Sequence, residues 1–196
     1  MKKLLFLTFL FLFSCTKDEY KELYFEYNSN QPTTIVANVI VMEHSIVTFD
    51  SMEKEVNADY FHRYGIHIDL ILKEGKQSLS DEVKFGNRIF LPKNKDTLTI
   101  YIVPSIYVNV SGAAAYALPG NSSVVIGDRY IRGRTLAHEI GHMYGLDHVK
   151  LENNVMTPFQ GADWKERPNY FEEKQIDTIL GKLSTQASKS LKMIIN

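Results

Sequence analysis

Cysteine is almost absent from this chain of 196 residues, which contains only Cys15. One cysteine cannot close an intramolecular disulfide, so a hydrophobic core has to hold the fold together. Charge of one sign is not in excess either, because 22 basic residues face 23 acidic ones and the net charge is −1. This balance gives no electrostatic attraction to nucleic acid. We also find no internal repeat and no low-complexity block, so the sequence predicts an ordinary globular protein.

A long apolar run is missing as well. The run at residues 4–13 is about half of the roughly 20 residues that a membrane-spanning helix needs. Lys2 and Lys3 precede it, a combination typical of a secretory signal peptide, which we assign to residues 1–14. The run ends in Leu-Phe-Ser-Cys, which resembles the lipobox of bacterial lipoproteins, where the cysteine is acylated and becomes residue one. Residues 15–33 would then be the lipidated Cys15 and a polar tether.

The lipobox resemblance implies a stable membrane anchor, because several acyl chains hold a protein at a bilayer far better than one. We therefore expect a bacterial outer-membrane lipoprotein, on the periplasmic face or at the cell surface. The stretch Lys17-Asp18-Glu19 resembles the export signal of surface lipoproteins, and a plain solvated tether explains it equally well.

Residues 34–196 have a size that fits one domain with its own core. Runs rich in β-branched and aromatic residues predict five strands, at residues 33–42, 66–72, 97–103, 112–118 and 122–127. Helical spacing of apolar residues predicts helices at residues 51–64 and 169–183, and a third helix carries the motif described next. Asp128 is expected to cap the motif helix, and Asn169 with Glu172 to form a capping box at the last helix. The element order β-α-β-β-β-β-α-α predicts an α+β fold.

The stretch Leu136–His148, LAHEIGHMYGLDH, carries the clearest chemical signal. His138 and His142 are four residues apart, so on a helix their rings lie on one face and can converge. Gly145 is the usual residue for a left-handed helix stop, which would bring His148 to the same point. Three neutral nitrogen ligands with a fourth position open are the arrangement of a catalytic zinc.

Glu139 would lie beside the zinc-bound water and act as general base.

A histidine pair at four-residue spacing is common and usually structural. Five specified residues, each with a frequency of about 5%, match by chance with a probability on the order of 10⁻⁷ to 10⁻⁶ per start position. So low a probability favours a metal site.

The motif His-Glu-x-x-His-x-x-Gly-x-x-His resembles the signature of metzincin zinc peptidases. Met156 in Val-Met-Thr-Pro matches the methionine turn that lies below the metal in this family, and the Gly-Leu-Asp-His ending is most similar to the matrixin branch. Val149 departs from the serine usual in matrixins, and the pappalysin branch stays open. Pro158 replaces the tyrosine ligand of astacins and serralysins. The resemblance covers roughly residues 34–180 and is specific only over residues 136–158.

The metzincin resemblance implies a fold as well as a site. It places a twisted, mostly parallel sheet with an antiparallel edge strand over the active-site helix, followed by a small C-terminal subdomain with a final helix. In matrixins the edge strand binds an extended peptide substrate, and this role falls on Ala114, Ala115 and Tyr116. The alternative is a plain core strand whose alanines allow tight packing.

The function that these residues predict is a zinc-dependent endopeptidase. It would be a monomer anchored to a bacterial membrane, with one catalytic Zn²⁺, Glu139 as base and polypeptides as substrates, whether proteins or cell-wall peptides. No residue pattern supports a calcium site. The alternative is a catalytically silent surface lipoprotein that keeps the metzincin scaffold for binding. Arg129, Arg132 and Arg134 indicate a solvated face or a substrate preference, and His44, His62 and His67 are expected to be structural.

Overall fold

Five strands form one sheet in the computed structural model, which describes residues 33–42, 45, 49–73, 97–104, 115–158 and 170–195. They are β1 (Thr33–Val41), β2 (Ile66–Leu72), β3 (Leu98–Val103), β4 (Ala115–Leu118) and β5 (Ser123–Gly127). Their spatial order is β2-β1-β3-β5-β4. The first four in this order are parallel to one another, and β4 pairs antiparallel with β5 at the edge. The α+β fold with a mostly parallel sheet is therefore confirmed.

Strands β3 and β5 are mostly apolar because both faces of the sheet are covered there, and their polar residues Thr99 and Ser123 are buried as well. Ile100 and Ile102 of β3 face the main core, whereas Tyr101 and Val103 belong to a second buried cluster on the opposite face. Strand β1 lies nearer the edge of the sheet, and its Val36 is 43% exposed. The continuous apolar run that predicted β3 thus reflects burial on two sides.

Helix α1 (Phe49–Val56) continues through a π-helical turn at Asn57–Phe61 and a 3-10 turn at His62–Tyr64. Gly65, with φ of +70°, then turns the chain into β2. The buried Asn57 side chain fixes this junction, because its amide donates to Ile68 O at 2.8 Å and its oxygen accepts from Ile68 N at 2.7 Å. The helix expected at residues 51–64 is present, with its last two turns departing from α geometry.

Helix α2 (Gly133–Met143) carries the histidine motif and packs on the sheet through Leu136, Ala137 and Ile140. The expected cap by Asp128 is wrong, because that residue lies in a separate 3-10 turn five positions earlier. Glu55 of α1 supplies the cap instead, since its Oε2 accepts from Gly133 N at 2.9 Å. The anionic side chain at this helix N-terminus also complements the helix dipole.

Helix α3 (Glu173–Ile195) ends the described chain. Gln175 Oε1 accepts from Glu172 N at 2.8 Å. The capping bond therefore joins Glu172 and Gln175, three positions later in the sequence than the expected pair Asn169 and Glu172. Asn169, Ala114 and residues 1–32, with Cys15, lie outside the described residues. Among the described residues, no helix is both long and apolar enough to cross a membrane.

Candidate metal centre

Helix α2 ends as the sequence predicted, at a glycine in the left-handed region. Gly145 has a φ of +82°. Its N–H donates to His142 O at 2.9 Å, and Leu146 N donates to Gly141 O at 3.0 Å. This pair of bonds is a Schellman stop, which satisfies the last carbonyls of the helix and reverses the chain. The reversal brings His148 back to the helix face that carries His138 and His142.

The three histidine rings converge through their Nε2 atoms. These atoms are 3.1 Å apart for His138 and His142, 3.1 Å for His142 and His148, and 3.2 Å for His138 and His148. A tetrahedral zinc with bonds of about 2.0–2.1 Å separates its nitrogen ligands by about 3.3 Å, so the triangle fits this metal. Among the described residues, this is the one cluster of at least three His, Cys, Asp or Glu side chains close enough to share an ion.

Two of the rings are held so that Nε2 is the free ligand atom. Nδ1 of His138 donates to Val155 O at 2.7 Å, and Nδ1 of His142 donates to Leu146 O at 2.7 Å. Burial lowers the pKa of His138 to about 4 and also lowers the pKa of His142. Both rings are therefore neutral at physiological pH, the form that binds a metal. His148 is exposed, so the cluster is open to solvent on its side.

Glu139 follows the first histidine and is only 5% exposed. Its Oε2 meets no hydrogen-bond donor among the described residues. Burial raises the pKa of this carboxyl to about 8. A buried carboxylate oxygen without a partner is costly, and a cation with a water molecule beside it would remove that cost. Glu139 thus fits a site that holds a metal ion.

Met156 packs against α2. Its side chain is fully buried, and a Cβ atom added at Gly141 would overlap Met156 Sδ. The surrounding segment Leu151–Pro158, here called the Met loop, joins the metal centre through the Val155 carbonyl. The loop is also fastened to α2, because Arg134 Nη2 donates to Thr157 O at 3.1 Å.

The strand expected to bind substrate is at the sheet edge and packs against α2. Ala115 and Ala117 face the main core, and Tyr116 and Leu118 pack against the cluster on the other face of the sheet. The Tyr116 side chain therefore points away from α2, and only its backbone is available to a peptide at the edge.

The expectation about the three arginines needs revision. Arg129 and Arg132 are exposed, but Arg134 is half-buried against the Met loop and is not part of a solvated face. His62 Nε2 and His67 Nδ1 lie 3.0 Å apart with stacked rings, which agrees with the structural role expected for these two histidines. His44 lies outside the described residues.

No protein-family model matches the chain, and no curated protein matches its sequence. Among solved structures, metalloproteinase-II from Bacteroides fragilis has a TM-score of 0.52 and 16% identity, over 76% of this chain and 53% of that one. The chain thus spans about half the length of that protein. Archaemetzincin from Methanopyrus kandleri has a TM-score of 0.47 and 15% identity over 78% of this chain and 97% of that one. Archaemetzincin from Archaeoglobus fulgidus has a TM-score of 0.45 and 18% identity, over 74% of this chain and 99% of that one. The likeness to metalloproteinase-II is one of fold.

Proposed function

We propose that this chain is a zinc-dependent endopeptidase of the metzincin group. The observation that carries the proposal is the triangle of three histidine Nε2 atoms, 3.1–3.2 Å on a side, with the buried Glu139 next to the first of these histidines on α2. The fold shared with metalloproteinase-II is consistent with this activity. Gly-Leu-Asp-His followed by Met-Thr-Pro favours the matrixin branch within the group.

The residues of the site have two roles in hydrolysis, metal binding and proton transfer. When bound, zinc supplies Lewis-acid chemistry, which polarises the scissile carbonyl and lowers the pKa of water. The Glu139 carboxylate accepts the proton of the attacking water and passes it to the leaving amine nitrogen. His138 and His142 remain neutral because burial lowers their pKa values, and their Nδ1 bonds to backbone carbonyls leave Nε2 as the ligand atom.

A direct test of the activity is incubation of the purified full-length chain with a mixed peptide library, followed by mass spectrometry. We expect internal cleavage that stops when a zinc chelator is added and returns when zinc is restored. Cleavage insensitive to the chelator would contradict a metal mechanism. A zinc-loaded chain that cleaves nothing in the library would favour the silent surface lipoprotein instead.

Strand β4 gives the proposed substrate site. Among the described strands it is the outermost, with no described strand on its other side, and an extended peptide can add there by backbone hydrogen bonds. The packing of β4 against α2 places this edge next to the helix that carries the ligands.

Replacing Ala115 by proline is expected to lower kcat/KM on extended peptides at least about tenfold, or about 1.4 kcal/mol in transition-state binding. Proline removes one N–H and disturbs the edge while leaving the zinc ligands in place, and it is tolerated at the first residue of a strand. The measurement is steady-state kinetics on a peptide identified in the library, with zinc content and thermal unfolding checked. Ala115→Ser, which keeps the N–H, should behave like the wild type. Normal kinetics for a folded, zinc-loaded Ala115→Pro would place the substrate elsewhere.

We further propose that Cys15 is acylated and anchors the protein to the outer membrane, on the evidence of the signal-like residues 1–14. Cys15→Ser should move the protein from the membrane fraction to the soluble fraction, or leave the signal peptide uncut, because a serine cannot carry the lipid anchor. Fractionation and intact-mass measurement decide between these outcomes. Detergent-dependent membrane association that persists in Cys15→Ser would eliminate the lipoprotein assignment.

A further inference from the structure

Two buried amide side chains connect the Met loop to the start of α3. Asn154 is fully buried and Gln175 is 8% exposed. Asn154 Nδ2 donates to Gln175 Oε1 at 2.9 Å, and the same oxygen accepts from Glu172 N at 2.8 Å. Gln175 Nε2 approaches Asn154 Oδ1 at 3.4 Å, so the two amides face each other in a paired arrangement.

The other side of Asn154 holds one particular peptide group. Its Oδ1 accepts from Met156 N at 2.8 Å. That N–H belongs to the same peptide plane as the Val155 carbonyl, which accepts from His138 Nδ1 at 2.7 Å. The N–H and C=O of a trans peptide point in opposite directions. Asn154 and His138 therefore hydrogen-bond to this peptide group on opposite sides.

The peptide is also fixed along the chain. Val155 N donates to Tyr170 O at 3.0 Å, and Tyr170 N donates to Asn153 O at 2.9 Å. The Val155 side chain is fully buried in the main core. Because the N–H groups of Val155 and Met156 are both hydrogen-bonded, the Val155 carbonyl is held in one orientation, in which it points at His138.

We infer that Asn154 and Gln175 are positioning residues for the metal centre. The hydrogen bonds run in series from Gln175 through Asn154 and the Val155–Met156 peptide to His138 Nδ1. Each bond polarises the next one in a low-dielectric interior, and the last one keeps the proton on Nδ1. The Nε2 lone pair of His138 is thereby held toward the other two histidines before any metal arrives. Outer partners of this kind set ligand orientation and basicity.

The inference rests on the metal site of the proposed function, though not on peptidase activity. Its test uses Gln175→Met in the full-length chain, because methionine is close in size, favours a helix and lacks the amide oxygen. We expect zinc affinity, measured by competition with a chromophoric chelator, to fall about tenfold or more. Gln175→Glu keeps an oxygen that can accept from both Asn154 Nδ2 and Glu172 N but loses the 3.4 Å contact from Nε2 to Asn154 Oδ1, so its zinc affinity should lie between those of Gln175→Met and the wild type.

A matched control separates positioning from general stability. Asn57 is also a buried amide, and its Nδ2 donates to Ile68 O at 2.8 Å while its Oδ1 accepts from Ile68 N at 2.7 Å. These bonds join the end of α1 to β2 and lie outside the series that ends at His138. Asn57→Leu should therefore lower the unfolding temperature while leaving zinc affinity unchanged. Equal losses of zinc affinity in Asn57→Leu and Gln175→Met would overturn the inference, as would wild-type affinity in a folded Gln175→Met.

A second readout needs no metal. Long-range ¹H–¹⁵N spectra of the zinc-free wild-type chain should show His138 as a single tautomer protonated at Nδ1, and Gln175→Met should show a mixture. A mixture already in the wild type would also overturn the inference. Failure of the proposed function is a separate result, because a chain that hydrolyses no peptide can still rank these variants by zinc affinity.

Discussion

Glu139→Gln is expected to bind one zinc ion per chain and to lose nearly all peptide hydrolysis, with kcat/KM falling at least about 100-fold. Glutamine keeps the size of the side chain but has no carboxylate to accept a proton from water. It also replaces a group whose pKa is raised to about 8 by burial with a neutral amide, so folding and metal binding should be preserved. The measurement is kcat/KM on a cleaved peptide together with zinc content.

Zinc content and the unfolding temperature are the controls for this variant. A Glu139→Gln protein that holds zinc and cleaves at the wild-type rate would show that Glu139 is not the base. A protein that has lost zinc would instead assign Glu139 a role in maintaining the metal centre. The two outcomes are separated by metal analysis of the same sample.

His142→Ala is expected to abolish stoichiometric zinc binding and, with it, all activity. One corner of the Nε2 triangle disappears, and His138 and His148 alone leave too few protein ligands for a tight site. A further consequence concerns stability, because a ligand that binds only the folded state stabilises it by mass action. Adding zinc should therefore raise the unfolding temperature of the wild type and leave that of His142→Ala unchanged.

His67→Ala is the matched control for this experiment, since it also removes one imidazole of a histidine pair. His67 lies on β2, contacts His62 and is outside the zinc cluster. We expect one zinc per chain and a normal zinc-induced shift in His67→Ala. Stoichiometric zinc in His142→Ala, or its loss in His67→Ala, would mean that the metal is bound by other residues.

The parts of the site that sequence reasoning could reach are those with local geometry. His138 and His142 share a helix face because of their spacing, and Gly145 ends the helix because left-handed backbone suits glycine. His148 then follows from the reversal of the chain. The strands of the sheet could be predicted for a similar reason, since burial on one or two faces leaves an alternating or continuous apolar pattern.

What the sequence could not supply are polar contacts between distant segments. The cap on α2 comes from Glu55, 78 residues before Gly133, whereas the nearby Asp128 offered a plausible local candidate. Asn154 and Gln175 are ordinary polar residues in the sequence, and only the packing of the Met loop on α3 pairs them. No periodicity encodes such contacts, because each depends on how two finished elements meet.

The close approach of Met156 to Gly141 extends the metal signature by one position. In His-Glu-x-x-His the residue before the second histidine is written as free, yet here a single added methyl group would overlap Met156 Sδ. A larger residue at position 141 would displace the buried Met156 side chain from the helix, so glycine and methionine form a complementary pair separated by fifteen positions in the sequence. We therefore expect a change at position 141 to be accompanied by a change at position 156 over evolutionary time.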